Sequence, residues 1–220
     1  MSKHQKSEAT QLVVDFGEVS LCEFDRIVSE KYGAVCGIDE AGRGPLAGDV
    51  YAAAVILDPK KPISGINDSK KLSEKKRELL FDEIKEKAVS FGIGIATVEE
   101  IERTDILSAA LLAMQRAYKQ LSANAGIVLV DGDVLPEIEG FVKNLKHGDA
   151  LSESVAAASI LAKVSRDRYM KEQAAIYPQY GFEKHAGYGT KAHYAAIDEF
   201  GTCPIHRKSF LKKHFKDDKN

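Results

Sequence analysis

The chain predicts an α/β fold, a sheet of about five strands flanked by helices, and three observations carry that expectation. Short β-rich runs come first and then alternate with segments of helical period, the order expected of a sheet covered by helices. Ile127-Val-Leu-Val-Asp131 is apolar up to its last residue, as a strand buried on both faces must be. Residues 152–176 read as one long helix, with Ala156, Ala157, Ala158, Ile160, Leu161 and Val164 as its buried side.

The remaining elements run in order along the chain. Residues 1–15 are polar and expected to be frayed. Ser20 and Glu23 have capping-box spacing, and Leu21, Phe24, Ile27 and Val28 make a short helical stripe that ends near Gly33. Residues 34–39 and 48–57 read as strands, and a turn-rich stretch from Asp58-Pro59 to Gly65 leads out of the second. Ser73 opens a helix whose apolar positions are Leu79, Leu80 and Ile84. Phe91–Val98 alternates with glycine as a third strand, and helices are expected at about 98–104 and 107–121. An edge strand near 140–145 leads to His147-Gly148-Asp149, and Tyr177-Pro178 stops the long helix. A looser tail holds a helix at about 190–200 and another near 207–215. At 220 residues the chain fits one domain, 1–220, with about 187–220 as a small C-terminal helical element.

Composition narrows the function. A chain that is 44% hydrophobic and 29% charged has the makings of an ordinary globular core. Its net charge of −2 means that any contact with nucleic acid must use a local patch. Two basic clusters are available, Lys70, Lys71, Lys75, Lys76 and Arg77, and Arg207, Lys208, Lys212, Lys213 and Lys216, although a charge run is most often a solvated face. The three cysteines, Cys22, Cys36 and Cys203, are too few and too scattered for a disulfide framework. Cys203-x-x-His206 lacks the second pair that a zinc site needs, and His185, His193 and His206 read as ordinary surface or core histidines. The N-terminus has no signal-peptide apolar core and no run is long enough to span a bilayer, so a cytoplasmic protein is expected.

The chemistry concentrates in Cys36–Asp49. Asp39 and Glu40 end an apolar run and are followed at once by Gly42-Arg43-Gly44. Paired acids beside a glycine-opened, cationic backbone suit a divalent metal on the acids and a phosphodiester against the amides. Asp131, at the end of the apolar strand, and Asp149, before the long helix, are acids that a sheet would deliver to the same edge. Hard cations prefer oxygen ligands, and two of them about 4 Å apart can activate a water and stabilise a leaving oxygen. Each acid taken alone could instead cap a turn, and Asp149 could cap the helix that begins near Ser152. Asp133 shares a strand face with Asp131, but Asp131 stands at the turn itself and is preferred. Gly42-x-Gly44-x-x-Ala47 also matches a dinucleotide-binding pattern, but Pro45 and a β-rich run stand where a helix should start. Tyr188, in a glycine-flanked setting, is placed either to stack on a sugar or base or to pack over the sheet edge.

Together these stretches resemble bacterial ribonuclease HII. The matching segments are Gly37–Gly48, Asn67–Leu72, Leu129–Gly132, Gly148-Asp149 with Ala156–Val164, and Tyr177–Phe182 with Gly187–Thr190, in order from about residue 20 to 210. The resemblance implies a ribonuclease H-like fold with a central mixed sheet, and Mg²⁺ or Mn²⁺, two ions during catalysis, held by Asp39, Glu40, Asp131 and Asp149. It implies that the Gly42-Arg43-Gly44 backbone senses a ribose 2′-hydroxyl at an RNA–DNA junction, that Tyr188 stacks on the neighbouring deoxyribose and that Lys70 meets a phosphate. The substrates implied are RNA–DNA hybrids and duplex DNA carrying single ribonucleotides. These would be cut on the ribonucleotide's 5′ side to leave 3′-hydroxyl and 5′-phosphate ends, in ribonucleotide removal and primer removal. A monomer with no membrane partner is expected. The 2′-hydroxyl is the chemical handle that separates a ribonucleotide from its deoxy neighbours, and a Cβ at Gly42 or Gly44 is expected to block the approach that reads it. The sequence departs from the family at Asp49, where proline is usual, and at His147 and Ala186, where lysine is usual. Lys146 and Lys184 are close enough to substitute for the lost lysines. The competing functions are another metal nuclease or resolvase on the same fold and a silent binder of hybrid duplexes, the latter disfavoured because acids facing phosphates only weaken binding.

Overall fold

In a computed structural model that describes residues 19–217, five strands form one sheet in the order β3-β2-β1-β4-β5. The expectation of frayed residues at 1–15 falls outside the described residues. The strands are β1 (Val35–Ala41), β2 (Val50–Ile56), β3 (Ser90–Ala96), β4 (Ile127–Asp131) and β5 (Val142–Leu145). β1 pairs antiparallel with β2 and parallel with β4, β2 pairs antiparallel with β3, and β4 pairs parallel with β5, so the sheet is mixed. β1 is the middle strand, and β4 lies inside the sheet with a parallel neighbour on each side.

The helices are α1 (Leu21–Tyr32), α2 (Glu74–Lys87), α3 (Val98–Arg103), α4 (Ile106–Tyr118), α5 (Glu153–Ile176), α6 (Phe182–His185), α7 (Lys191–Phe200) and α8 (His214–Asp217). They cover both faces of the sheet because the strands alternate. Ala52, Ala54 and Ile56 of β2 turn to α4 and its Ala109, Ala113 and Met114, while Ala53 and Val55 turn to α2 and α5. β2 is therefore buried throughout, which explains an apolar run with no polar alternation. Ile160 and Leu161 of α5 are fully buried beside Leu80, Phe81 and Ile84 of α2. Truncating either to alanine should cost about 2–5 kcal/mol.

Two glycines let helices touch the sheet. A Cβ on Gly37 of β1 would be driven into the backbone of Ser154 and Val155, so the first turn of α5 rests directly on the middle strand. A Cβ on Gly94 would meet the Ala113 carbonyl, so α4 lies equally close to β3. The alternating glycines of β3 are thus a packing device.

Three expectations change. Leu79 is 64% exposed, and the buried face of α2 is Leu80, Phe81 and Ile84. The segment 207–215 is not one helix, but a 3₁₀ turn at Lys208–Leu211 followed by α8. The Ser20 box is half formed. Ser20 Oγ accepts from the Glu23 amide at 3.3 Å, but the Glu23 carboxylate turns to Arg26 at 2.7 Å. A complete capping box stands instead at Thr97 and Glu100, at the start of α3.

The C-terminal segments wrap the loop between β1 and β2. Leu46, Ala47, Met170, Tyr180, Phe182, Ile197, Cys203 and Leu211 form one apolar cluster. Backbone bonds from Leu46 to Gly187, from Gly48 to Ile205 and from Arg207 to Leu46, each 2.8 Å, fasten the loop to that cluster.

Candidate active site

β1 and β4 are parallel neighbours in the register Ile38↔Val130, so the next residues, Asp39 and Asp131, emerge side by side. Adjacent strands lie about 4.8 Å apart. Glu40 comes next on β1. Asp149 arrives from a different direction, in a 3₁₀ turn at Gly148–Ala150, and the Gly148 amide donates to Asp131 Oδ1 at 2.8 Å. Asp149 does not cap the long helix. Ser152 does, accepting from the Val155 amide at 3.3 Å.

A cavity of about 320 Å³ is lined by Asp39, Glu40, Asp131, the Gly42-Arg43-Gly44 turn, Lys70 and Tyr188. Asp149 is not in its wall but lies beside it, 3.5 Å from the Lys70 ammonium. Burial raises the Asp39 carboxyl well above the usual range, and the charges of Glu40 and Asp131 raise it further; the nearby Ser159 hydroxyl and the Glu40 amide, which donates to Asp39 Oδ1 at 2.7 Å, oppose the shift. Burial also raises Glu40, against the pull of Arg43 at 3.3 Å. Asp149 is raised by burial, then by Asp68 and Asp131, with Lys70 opposing.

The donor chemistry fits a divalent cation: the hard carboxylate oxygens of Asp39, Glu40 and Asp131 line one cavity, and the buried Asp39 has no ion-pair partner among the described residues. Among the described residues, no three His, Cys, Asp or Glu side chains already form a cluster that could hold an ion. What the acids face instead is cationic, since Arg43 sits against Glu40 and Lys70 against Asp149. Both cations are long and their side chains are 49% and 79% exposed, so each is free to swing into water.

The two glycines of the turn have different duties. Gly42 has φ +103, and a Cβ there would collide with the Arg166 guanidinium, so alanine at Gly42 strains the fold itself. A Cβ on Gly44 would touch only the Tyr188 ring, at 3.5 Å, and so would occupy the space between turn and tyrosine. Tyr188 is 47% exposed and lines the cavity.

Other residues fall outside this group. Asp133 is exposed and pairs with Lys146 at 3.3 Å. Asp49 points away from the acids and accepts from the Val98 amide at 2.9 Å. Lys184 lines a neighbouring groove with His185 and Tyr188. The histidines form a relay behind Tyr188. Cys203 N donates to His206 Nδ1 at 2.9 Å, the Nε2 atoms of His206 and His193 are 3.0 Å apart, and His193 Nδ1 is 2.9 Å from the Tyr188 carbonyl.

Sequence reasoning missed Ser159, Ser69, Arg166 and Arg207. Ser159 interrupts an alanine-rich helix face, a signal that was there to use, and its hydroxyl lies 2.9 Å from that of Ser69. Arg207, placed by its neighbours in a surface basic run, is fully buried. Among the described residues, no helix is long and apolar enough to cross a membrane.

A sequence profile described as Ribonuclease HII matches residues 36–217. Ribonuclease HII of Shewanella piezotolerans is 54% identical over 192 residues, which is 85% of this chain and 95% of that relative. Among solved structures, the ribonuclease H2 of Pyrococcus horikoshii matches with a TM-score of 0.67 at 28% identity, covering 80% of this chain and 92% of that one. The ribonuclease HII of Archaeoglobus fulgidus, solved in complex with PCNA, matches with a TM-score of 0.65 at 25% identity over 79% of this chain and 93% of that one.

Proposed function

The chain belongs to the ribonuclease HII family and is a ribonuclease H, and we propose that it nicks duplex DNA on the 5′ side of an embedded ribonucleotide as well as cutting the RNA strand of RNA–DNA hybrids. The observation that carries this reading is the meeting of Asp39, Glu40 and Asp131 with a glycine turn and a displayed tyrosine around one cavity. The setting we propose is ribonucleotide and primer removal in the cytoplasm, by a monomer.

Asp39, Glu40, Asp131 and Asp149 would hold Mg²⁺ or Mn²⁺, which when bound as a pair of ions lowers the pKa of a water and stabilises the leaving oxygen. The protein's own contribution is placement. The β1–β4 register sets Asp39 beside Asp131, and the Gly148 amide fixes one oxygen of Asp131 so that the other stays free. Bound cations would favour the ionised form of the buried acids. Lys70 and Arg43, which sit against Asp149 and Glu40, would then be available to phosphate oxygens. The amides of Arg43 and Gly44 meet the 2′-hydroxyl, and Tyr188 stacks on the adjacent sugar. A site that hydrogen-bonds a hydroxyl rejects the analogue lacking it by as much as ~10⁴, because its own donors are left unpaired. Hydrolysis in this sense leaves 3′-hydroxyl and 5′-phosphate ends.

The test is a duplex with one central ribonucleotide, incubated in excess chelator and then with Mg²⁺ or Mn²⁺ restored. Cutting that appears only with the ion supports the reading, and cutting that persists in chelator overturns it.

A further inference from the structure

Arg166 and Arg207 are among the most buried side chains of the described residues, 1% and 0% exposed, and neither has a carboxylate within ion-pair distance among them. Their nitrogens are spent on backbone carbonyls instead. Arg207 donates through Nε to Gly48 at 2.9 Å, through Nη1 to Arg43 at 3.0 Å and Pro45 at 2.8 Å, and through Nη2 to Gly42 and Gly48 at 2.6 Å each. Arg166 donates through Nε to Asp49 at 3.1 Å, through Nη1 to Ala186 at 3.0 Å and through Nη2 to Ala47 at 3.0 Å. Between them they hold six of the eight carbonyls from Gly42 to Asp49.

That bonding has a geometric consequence. A trans peptide is planar, so a carbonyl turned inward turns the next residue's N–H outward. With the Gly42 and Arg43 carbonyls drawn to Arg207, the amides of Arg43 and Gly44 face away from it, toward the cavity, and neither donates to an acceptor among the described residues. The Asp49 carboxylate acts on both guanidiniums only from beyond ion-pair distance, and two buried guanidiniums side by side are costly. Arg207 is pushed down to about 9 by burial and then by Arg166, which still leaves it charged near neutral pH. Packing alone would be met at lower cost by apolar side chains of similar volume.

We propose that Arg166 and Arg207 are positioning residues for ribonucleotide recognition: they clamp the carbonyls of the 42–49 loop inward so that the Arg43 and Gly44 amides are presented to the 2′-hydroxyl. The proposal rests on the reading of that turn given above.

Arg207→Lys keeps the charge and loses the planar fork. It should fold, bind Mn²⁺ at the acids with wild-type affinity by calorimetry, and show a KM for a single-ribonucleotide duplex raised about 10–100-fold with kcat much less affected, the mark of lost binding shared by ground and transition states. Arg166→Lys should do the same more mildly, and it serves if Arg207→Lys does not fold. Wild-type protein supplies a measurement that needs no variant. The Arg43 and Gly44 amides should exchange quickly in the free protein and slow on binding the ribonucleotide duplex in chelator, but not on binding all-DNA duplex. Folded lysine variants with wild-type KM, or amides already protected in the free protein, would overturn the proposal. A wild type that ignores the ribonucleotide would instead refute the functional reading beneath it.

Discussion

The Gly148 amide donates to Asp131 Oδ1 across 2.8 Å, tying the last residue of β4 to the turn that carries Asp149. Two acids on different elements are thereby one mechanical unit, and the bond makes the amide substitution a clean experiment. Asparagine at position 131 keeps an acceptor for Gly148 and removes only the charge. Asp131→Asn should lower the single-turnover rate at least about a hundredfold while thermal unfolding stays near wild type, and Asp39→Asn and Glu40→Gln should match it. Asp133→Asn should keep near wild-type activity, because that residue is exposed and paired with Lys146.

Asp149 and Ser152 separate activity from stability. The start of α5 is held by Ser152 Oγ and by Asp25 Oδ2, which accepts from the Ser154 amide at 2.7 Å, and not by Asp149. Ser152→Ala should cost about 1 kcal/mol in denaturant unfolding. Asp149→Asn should leave unfolding unchanged and depress cleavage severely. A stability loss in the aspartate variant without an activity loss would return Asp149 to a capping role.

Lys70 lies 3.5 Å from Asp149 and, on the proposed reading, would compete with a metal ion for it. Its side chain is 79% exposed, so the pair is a weak one, worth less than about 1 kcal/mol. Lys70→Met should tighten Mn²⁺ binding in calorimetry by up to about fivefold, yet raise KM for the duplex because a phosphate contact is gone. Unchanged metal affinity would place Lys70 outside the competition.

The histidine relay behind Tyr188 predicts an acid limit. Burial and the neighbouring His193 push His206 down to about 4. Unfolded histidine titrates near 6.5. Between those values the unfolded chain binds the extra proton, so the relay's contribution is intact above about pH 6.5 and is lost as pH falls toward 4. Urea unfolding should show wild type losing up to about 3 kcal/mol more than His206→Gln across that window. Parallel pH profiles for the two proteins would contradict the relay.

Much of this architecture was legible in sequence, for identifiable reasons. β4 announced itself because a strand covered on both faces must be apolar throughout, and α5 because its buried face repeats over many turns. Asp39 and Glu40 stood out because paired acids beside a glycine turn have few structural uses. Leu79 was misplaced because spacing fixes a helix face only to within a residue or so, and Leu80, Phe81 and Ile84 satisfy α2 without it. Arg207 was invisible for a deeper reason: its partners are carbonyls, which every residue carries, so no side-chain pattern marks the place. The histidine relay likewise joins residues through a backbone carbonyl and through turns whose paths no local spacing predicts.

On the proposed reading, four acids and a glycine turn together make a nuclease that reads one 2′-hydroxyl. The most direct measurement sets two duplexes of identical sequence side by side in Mg²⁺ at one ionic strength, one all-DNA and one with a single ribonucleotide, and maps the products to nucleotide resolution. The expected result is a single nick on the ribonucleotide's 5′ side with 3′-hydroxyl and 5′-phosphate ends, and an all-DNA duplex left intact. Gly44→Ala, which folds because its Cβ meets only the Tyr188 ring, should erode that preference. Equal cutting of both duplexes by the wild type would contradict 2′-hydroxyl recognition and identify a general nuclease.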